Sequence, residues 1–389
     1  MTFYSNVWSD TGTQEVICSL LFILQNGMEV CWVPLYKNDW KDDPLNKEFE
    51  GIQKNPVSSE KLSVNLMKHS DDEYYGLVSL GTPQQTFKVL FATGYSYFWI
   101  QSEKCHWYRM ACWDHKGYDS SKSSTYRENG KTFCIDDFNG KSSGIISEDI
   151  AKFGNVIITN QTFGEADKPP NLGSYDGVFG LAFPSKTNTG KPPLSSVISK
   201  GLLKKEMFSL FLDKYKQKNT AGQIIFGDWD EEKFYVNSVN YIPLSDNTAW
   251  IFDLDYIHTD DGEQLCYSCQ ALVDTGTALI IGHKDVVRKI HNKIGASTHG
   301  TEASVDCSMI DQLPPITFSI NNRSYTLKGQ DYVVERQHLY FFKRCMIGIV
   351  GSERNLDRPW ILGNIFLQQF YTIFDIDNKQ IAFANLKFF

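Results

Sequence analysis

The chain lacks a basic block. Its 38 lysines and arginines are outnumbered by 46 acidic residues, and both signs are spread along the 389 residues to give a net charge of −8. Nucleic acid and anionic membranes recruit proteins through clustered positive charge, so neither is an expected partner. Long apolar runs are scarce too. The run VICSLLFIL, Val16–Leu24, falls short of the ~20 residues a spanning helix needs, and no integral membrane span is expected. The run has the length of a signal-peptide core, but Asp10 and Glu15 stand where a basic stretch would precede one. Residues 1–28 are assigned as a signal or leader segment, with a misassigned start or a buried segment as the alternatives.

Long helical periodicity is also missing, which excludes an all-α architecture. Only PPLSSVISKGLL and HKDVVRKIHNKIG read as helices, the first with proline at its start and the second stopped by glycine. Strand signals dominate from Tyr74 onward. YYGLVSLG, FKVLF, YFWIQ, NVIITNQTF, QIIFG and YTIFDIDNKQIAFA are short β-branched and aromatic runs punctuated by Gly, Asn, Asp and Pro. The length suits two cores, because single cores stop growing at ~250–300 residues. Before the strands, VPLYKNDWKDDPLNKEFEGIQKN is polar and charged and stands apart from the core.

Nine cysteines and two glycosylation sequons, Asn160-Gln-Thr and Asn322-Arg-Ser, point to an oxidising secretory route. Cys105 and Cys112 flank one short loop, Cys266 and Cys269 another, and Cys307 with Cys345 could close a longer one. Cys18, Cys31 and Cys134 show no obvious partner. A zinc site built from Cys105, His106, Cys112 and His115 is the competing reading. Disulfides are preferred because other marks of a zinc module are missing, so no metal and no cofactor are expected.

An internal echo divides the chain. VLFATG followed by GVFGLAF in the first half matches ALVDTG followed by WILGNIF in the second. The period is far too long for a solenoid, and a duplicated β-lobe explains it. A cleft between two such lobes is the natural ligand site. One copy of the turn carries Asp274 and the other carries Ala92.

From Tyr74 to the C-terminus the chain resembles the pepsin family of aspartic proteases. YYGLVSLGTPQQTFKVLFATG, SSTY, NQTFGEA, YDGVFGLAFPS, CQALVDTGTALIIG, LPPITFSINNRSYTL and WILGNIFLQQFYTIFDIDNKQIAFA follow the family's order and spacing. VPLYK resembles the start of the family's propeptide, and KIHNKIGA resembles pregnancy-associated glycoproteins within the family. The resemblance implies an all-β, bilobal fold around a substrate cleft. It divides the chain into a leader (1–28), a propeptide-like segment (29–70), an N-terminal β-lobe (71–236) and a C-terminal β-lobe (237–389). It also implies disulfides Cys105–Cys112, Cys266–Cys269 and Cys307–Cys345, the first loop longer and the second shorter than usual.

The family's chemistry uses two facing carboxylates, one accepting a proton from a shared water while the other donates one to the substrate carbonyl. Carried over by position, one acid is Asp274, in a turn with Thr275, Gly276 and Thr277; the other position is Ala92, followed by Thr93 and Gly94. The change extends beyond one residue, since the family's Asp-Thr-Gly-Ser-Ser-Asn-Leu-Trp has become ATGYSYFW, with Tyr95, Tyr97 and Phe98 departing. The hairpin that should close over substrate reads DFNG, with Asp137, Phe138 and Gly140 in the family's flap positions. Asp136 or Asp137 swinging in as a substitute acid is disfavoured, because a dyad must be held rigidly. The segment Lys37–Glu50 is net acidic, ill suited to inhibiting a cleft lined by carboxylates.

The resulting expectation is a monomeric homologue of aspartic endopeptidases, secreted or held in the secretory or lysosomal pathway, silent or severely impaired, that keeps a cleft for a peptide or protein ligand. A residual endopeptidase acting through Asp274 is the alternative, and a product of a decaying gene is the third.

Overall fold

The computed structural model describes residues 61–68, 73–106, 110–113, 115–137, 140–170, 175–183, 189–215, 221–299, 302–338, 342–352 and 359–387. The leader, most of the propeptide-like segment and Phe138 lie outside them. Among the described residues the chain is mostly β, in sheets of thirteen, seven and four strands, as the all-β expectation requires. Among the described residues helices are short, and none is long and apolar enough to cross a membrane. The two predicted helices form at Pro193–Ser199 and Lys284–Lys293. The second gives way to Gly295, whose φ of 70° suits a residue without Cβ.

Strand structure begins earlier than the sequence pattern suggested. Leu62–Lys68 lies in the tail of the 29–70 segment and pairs antiparallel with Gly222–Phe226 on one side and with Tyr74 and Tyr75 on the other. Its LSVNLMK alternates, burying Val64 and Leu66 and exposing Asn65. That period-2 signal was legible but sat beside polar, charged sequence.

The largest sheet crosses from one half of the chain to the other. Met207–Leu212 pairs with Gly222–Phe226 from the first half and with Phe370–Asp375 from the second. The apolar core is continuous across the same boundary. Phe208 stacks on Phe374 with ring centroids 4.5 Å apart, and Phe183 lies 4.4 Å from Trp250. Trp250 also donates its indole N–H to the Leu181 carbonyl at 2.9 Å. The duplicated lobes are thus fused through aromatic packing and a shared sheet.

Each half contains the same three-strand unit. In the first, Gln85–Ala92 runs parallel to Gly177–Gly180, which pairs antiparallel with Phe98–Gln101. In the second, Gln264–Val273 runs parallel to Trp360–Leu362, which pairs antiparallel with Ile280–His283. The repeated apolar-apolar-Gly tripeptides are these middle strands. Their glycines are required by close approach: a Cβ on Gly180 would stand 2.5 Å from the carbonyls of Tyr95 and Tyr97, and one on Gly363 would stand 2.3 Å from those of Thr277 and Leu279.

Disulfides join Cys105 to Cys112, Cys266 to Cys269 and Cys307 to Cys345. The first removes the sulfur ligands of the competing zinc reading. Cys134, which shows no obvious partner in the sequence, is itself disulfide-bonded. Both sequon asparagines, Asn160 and Asn322, are exposed and take positive φ.

His291, on the helix Lys284–Lys293, is buried, with Nε2 2.8 Å from the Ile349 carbonyl, an acceptor to which it must donate. Burial pushes its pKa below the usual 6.5, outweighing that hydrogen bond, which raises it. The folded state therefore favours the neutral ring, and the stability this provides is complete above pH 6.5 and drains away as pH falls through the lowered folded value. His291→Gln keeps an N–H donor without the titration. Denaturation midpoints across acid pH should fall less steeply for that variant than for the natural chain; parallel curves would refute the assignment.

Candidate active site

The parallel pairing of each unit ends at a Thr-Gly turn, and the two turns meet. Thr93 donates its hydroxyl to the Val273 carbonyl at 2.8 Å and accepts from the Thr275 amide at 3.1 Å. Thr275 reciprocates, donating its hydroxyl to the Phe91 carbonyl and accepting from the Thr93 amide at 3.1 Å. Both threonines are buried. Each half therefore terminates its strand on a hydroxyl supplied by the other half.

Ala92 and Asp274 precede these threonines, one in each turn, and both side chains are buried. The Ala92 carbonyl accepts from the Leu181 amide at 2.8 Å, while the Asp274 amide donates to the Leu362 carbonyl at 3.2 Å. Asp274 Oδ1 accepts from the amides of Gly94 at 3.0 Å and Gly276 at 2.9 Å, and Oδ2 from the Thr277 hydroxyl at 2.8 Å. An ionised carboxylate only accepts, so three donors match that form. The glycines leave no room for side chains. A Cβ on Gly94 would lie 2.7 Å from the Asp274 carboxyl carbon, and one on Gly276 would lie 2.8 Å from the Ala92 Cβ.

Ala92 faces an apolar cluster. It belongs to one buried cluster with Trp99, Phe133, Ile135, Ile146, Ala166 and Val178, against which Tyr95 and Tyr97 pack. The two tyrosine rings lie 4.9 Å apart. Phe133, Ile135 and Ile146 belong to the hairpin of Arg127–Asp137 and Gly140–Phe153, so the hairpin's base rests on the Ala92 turn. Residues Asp137 and Gly140 are cross-strand partners, closing the hairpin with a two-residue tip. Asp136 is exposed and registers with Lys141, not with Asp274. Sequence reasoning treated Tyr95 and Tyr97 only as departures from a pattern, and their role as walls beside Ala92 was not foreseen. An aromatic pair two residues apart beside the turn was the available signal.

Comparisons with known proteins fit this geometry. The eukaryotic aspartyl protease family model matches residues 73–386. The chain belongs to that family. It is 36% identical to cathepsin D of Dictyostelium discoideum over 331 residues, 83% of this chain and 85% of that protein. It is 36% identical to pepsin II-1 of Oryctolagus cuniculus over 332 residues, 82% of each. Human (Homo sapiens) cathepsin D shares 33% identity over 363 residues, 88% of this chain and 87% of that protein.

The interlocked turns make two stability predictions. Thr93→Val is close in shape but removes a buried hydroxyl that both donates and accepts, and it should lower the unfolding free energy by about 1–3 kcal/mol. Thr93→Ser should cost less. Gly276→Ala forces its new methyl against Ala92 and should also destabilise. Chemical denaturation checks both, and a Thr93→Val variant as stable as the natural chain would show that the interlock contributes nothing.

Proposed function

We propose that this chain is an aspartic-protease homologue that holds an extended peptide between its lobes and cleaves it very slowly or not at all. The observation that carries the reading is Ala92. It stands one residue before Thr93, as Asp274 stands one residue before Thr275, and it offers a buried methyl where a second carboxylate would be needed. Asp274 alone cannot supply base and acid together, because the separation of the two titrations depends on like charges in contact. The attacking water also loses one of its two holders. General acid or base catalysis contributes ~10²- to 10⁴-fold, so loss of one acid predicts a deficit of at least that order.

Binding asks less of the site than catalysis does. A groove can hold a peptide by strand-like backbone hydrogen bonds and apolar side-chain contacts, without a dyad. The paired rings of Tyr95 and Tyr97 and the apolar hairpin base suit that role. The disulfides and two exposed sequon asparagines support passage through an oxidising secretory compartment. We further infer a monomer without a cofactor.

A residual endopeptidase is the second reading, and it is favoured by Asp274 retaining its three donors. The experiment that separates the two measures cleavage of a denatured protein from strongly acidic to neutral pH, with the natural chain beside Asp274→Asn, Ala92→Asp and the double variant. The expected result is acid-range cleavage by Ala92→Asp at least ~10²-fold faster than by the natural chain, abolished by adding Asp274→Asn. Cleavage by the natural chain that disappears in Asp274→Asn would overturn the silent reading and establish the residual enzyme.

A further inference from the structure

The strand Gln264–Val273 carries a Cys-x-x-Cys sequence, Cys266-Tyr-Ser-Cys269, upstream of the Asp274 turn. Side chains three apart on a regular strand point to opposite faces. Here Ser268 takes a φ of 51°, a backbone state uncommon for a residue with a side chain, and the two cysteines are joined. This link closes a loop of sequence separation 3, against 38 for Cys307–Cys345. Since stabilisation by a cross-link grows with the loop it closes, Cys266–Cys269 is a weaker staple than Cys105–Cys112 or Cys307–Cys345 by that measure.

His283 lies at the same end of the sheet. It terminates the Ile280–His283 strand, which is separated from Gln264–Val273 only by Trp360–Leu362. A ring nitrogen of His283 and the two sulfurs all lie within 4.8 Å of one another. Among the described residues this is the group of His, Cys, Asp or Glu side chains close enough to share a metal ion. Two thiolates at ~2.3 Å from a tetrahedral ion stand roughly 3.8 Å apart, so the required spacing fits within the observed one once the sulfur–sulfur bond opens. Cys266 is buried and His283 and Cys269 are half-buried, which leaves solvent on one side for a fourth ligand.

We propose that Cys266, Cys269 and His283 form a redox-controlled site whose reduced state binds a soft divalent cation such as zinc. A dithiol reductant supplies two electrons and two protons to the Cys266–Cys269 bond, giving two thiols, and leaves as its own cyclic disulfide. Metal binding then displaces the two thiol protons, so the ion is held by two thiolates, one imidazole nitrogen and a water. In the reverse direction a small-molecule disulfide accepts two electrons from the two thiolates and, with two protons from water, leaves as two thiols, so that the ion is released and the Cys266–Cys269 bond re-forms. The site is independent of whether the chain cleaves peptides.

The test uses the full chain, reduced under mild conditions with a dithiol that is then removed without air. Thiols are alkylated with and without zinc and mapped by peptide mass spectrometry, and cobalt is titrated while the thiolate-to-cobalt absorption is followed. Zinc is expected to protect Cys266 and Cys269 from alkylation without protecting Cys105, Cys112, Cys307 or Cys345. Cobalt is expected to bind at one ion per chain. His283→Ala, with unchanged circular dichroism, should weaken cobalt binding by ~10-fold or more, and His283→Cys should recover it. The proposal is overturned if zinc leaves alkylation of Cys266 and Cys269 unchanged, or protects them equally in His283→Ala. Cys269→Ser provides a second variant should His283→Ala not fold, and cobalt affinity equal to the natural chain's there would also overturn it.

Discussion

Two threonine hydroxyls hold the centre of this molecule together. Thr93 and Thr275 each donate to a carbonyl of the opposite strand and each accept from the other's amide. The hydroxyl is the smallest side-chain group able to do both at once, and here it does so where water is excluded. Unpairing one of these groups would leave a buried donor or acceptor unsatisfied, which costs more than the net gain of a typical hydrogen bond. The turns are therefore fixed relative to one another before any catalytic group is considered. The three-strand units behind them follow, because Gly180 and Gly363 must be bare for the turn carbonyls to approach.

That order of dependence explains how the scaffold accommodates alanine at position 92. The Ala92 backbone still accepts from Leu181, and its methyl joins an apolar cluster that ties the turn to the base of the hairpin. Neither contact needs a carboxylate. Burying a small apolar group at this turn is favourable, whereas a charge placed there must find donors to offset its desolvation. On the proposed reading, the fold and the chemistry are separable at this residue.

Much of this was legible in the sequence, and for a physical reason. Close packing around Thr-Gly turns demands particular residues at particular positions, so the ATG and DTG turns and the VFG and ILG tripeptides announce the duplicated unit. The helix at Lys284–Lys293 was likewise legible, its end marked by the closing glycine. Contacts between distant segments were less visible. Nothing in the letters places Met207–Leu212 beside Phe370–Asp375, because register between strands so far apart is set by the assembled core. The strand at Leu62–Lys68 alternates clearly, yet its partner lies more than 150 residues away and its neighbours look like linker.

The survival of Asp274 carries less functional weight than it first suggests. Its Oδ1 takes the Gly94 amide from the opposite turn as well as the Gly276 amide from its own, and Oδ2 takes the Thr277 hydroxyl. The carboxylate is thus a structural member of the interlock, bridging the two halves alongside the threonines. Charge-assisted hydrogen bonds are the stronger kind, and removing this acceptor would strand buried donors on both turns. An aspartate at position 274 would be needed to hold this geometry even in a protein that never activates a water. On the proposed reading its retention serves the interlock, and it is the acid missing at position 92 that separates a holder of peptides from a protease.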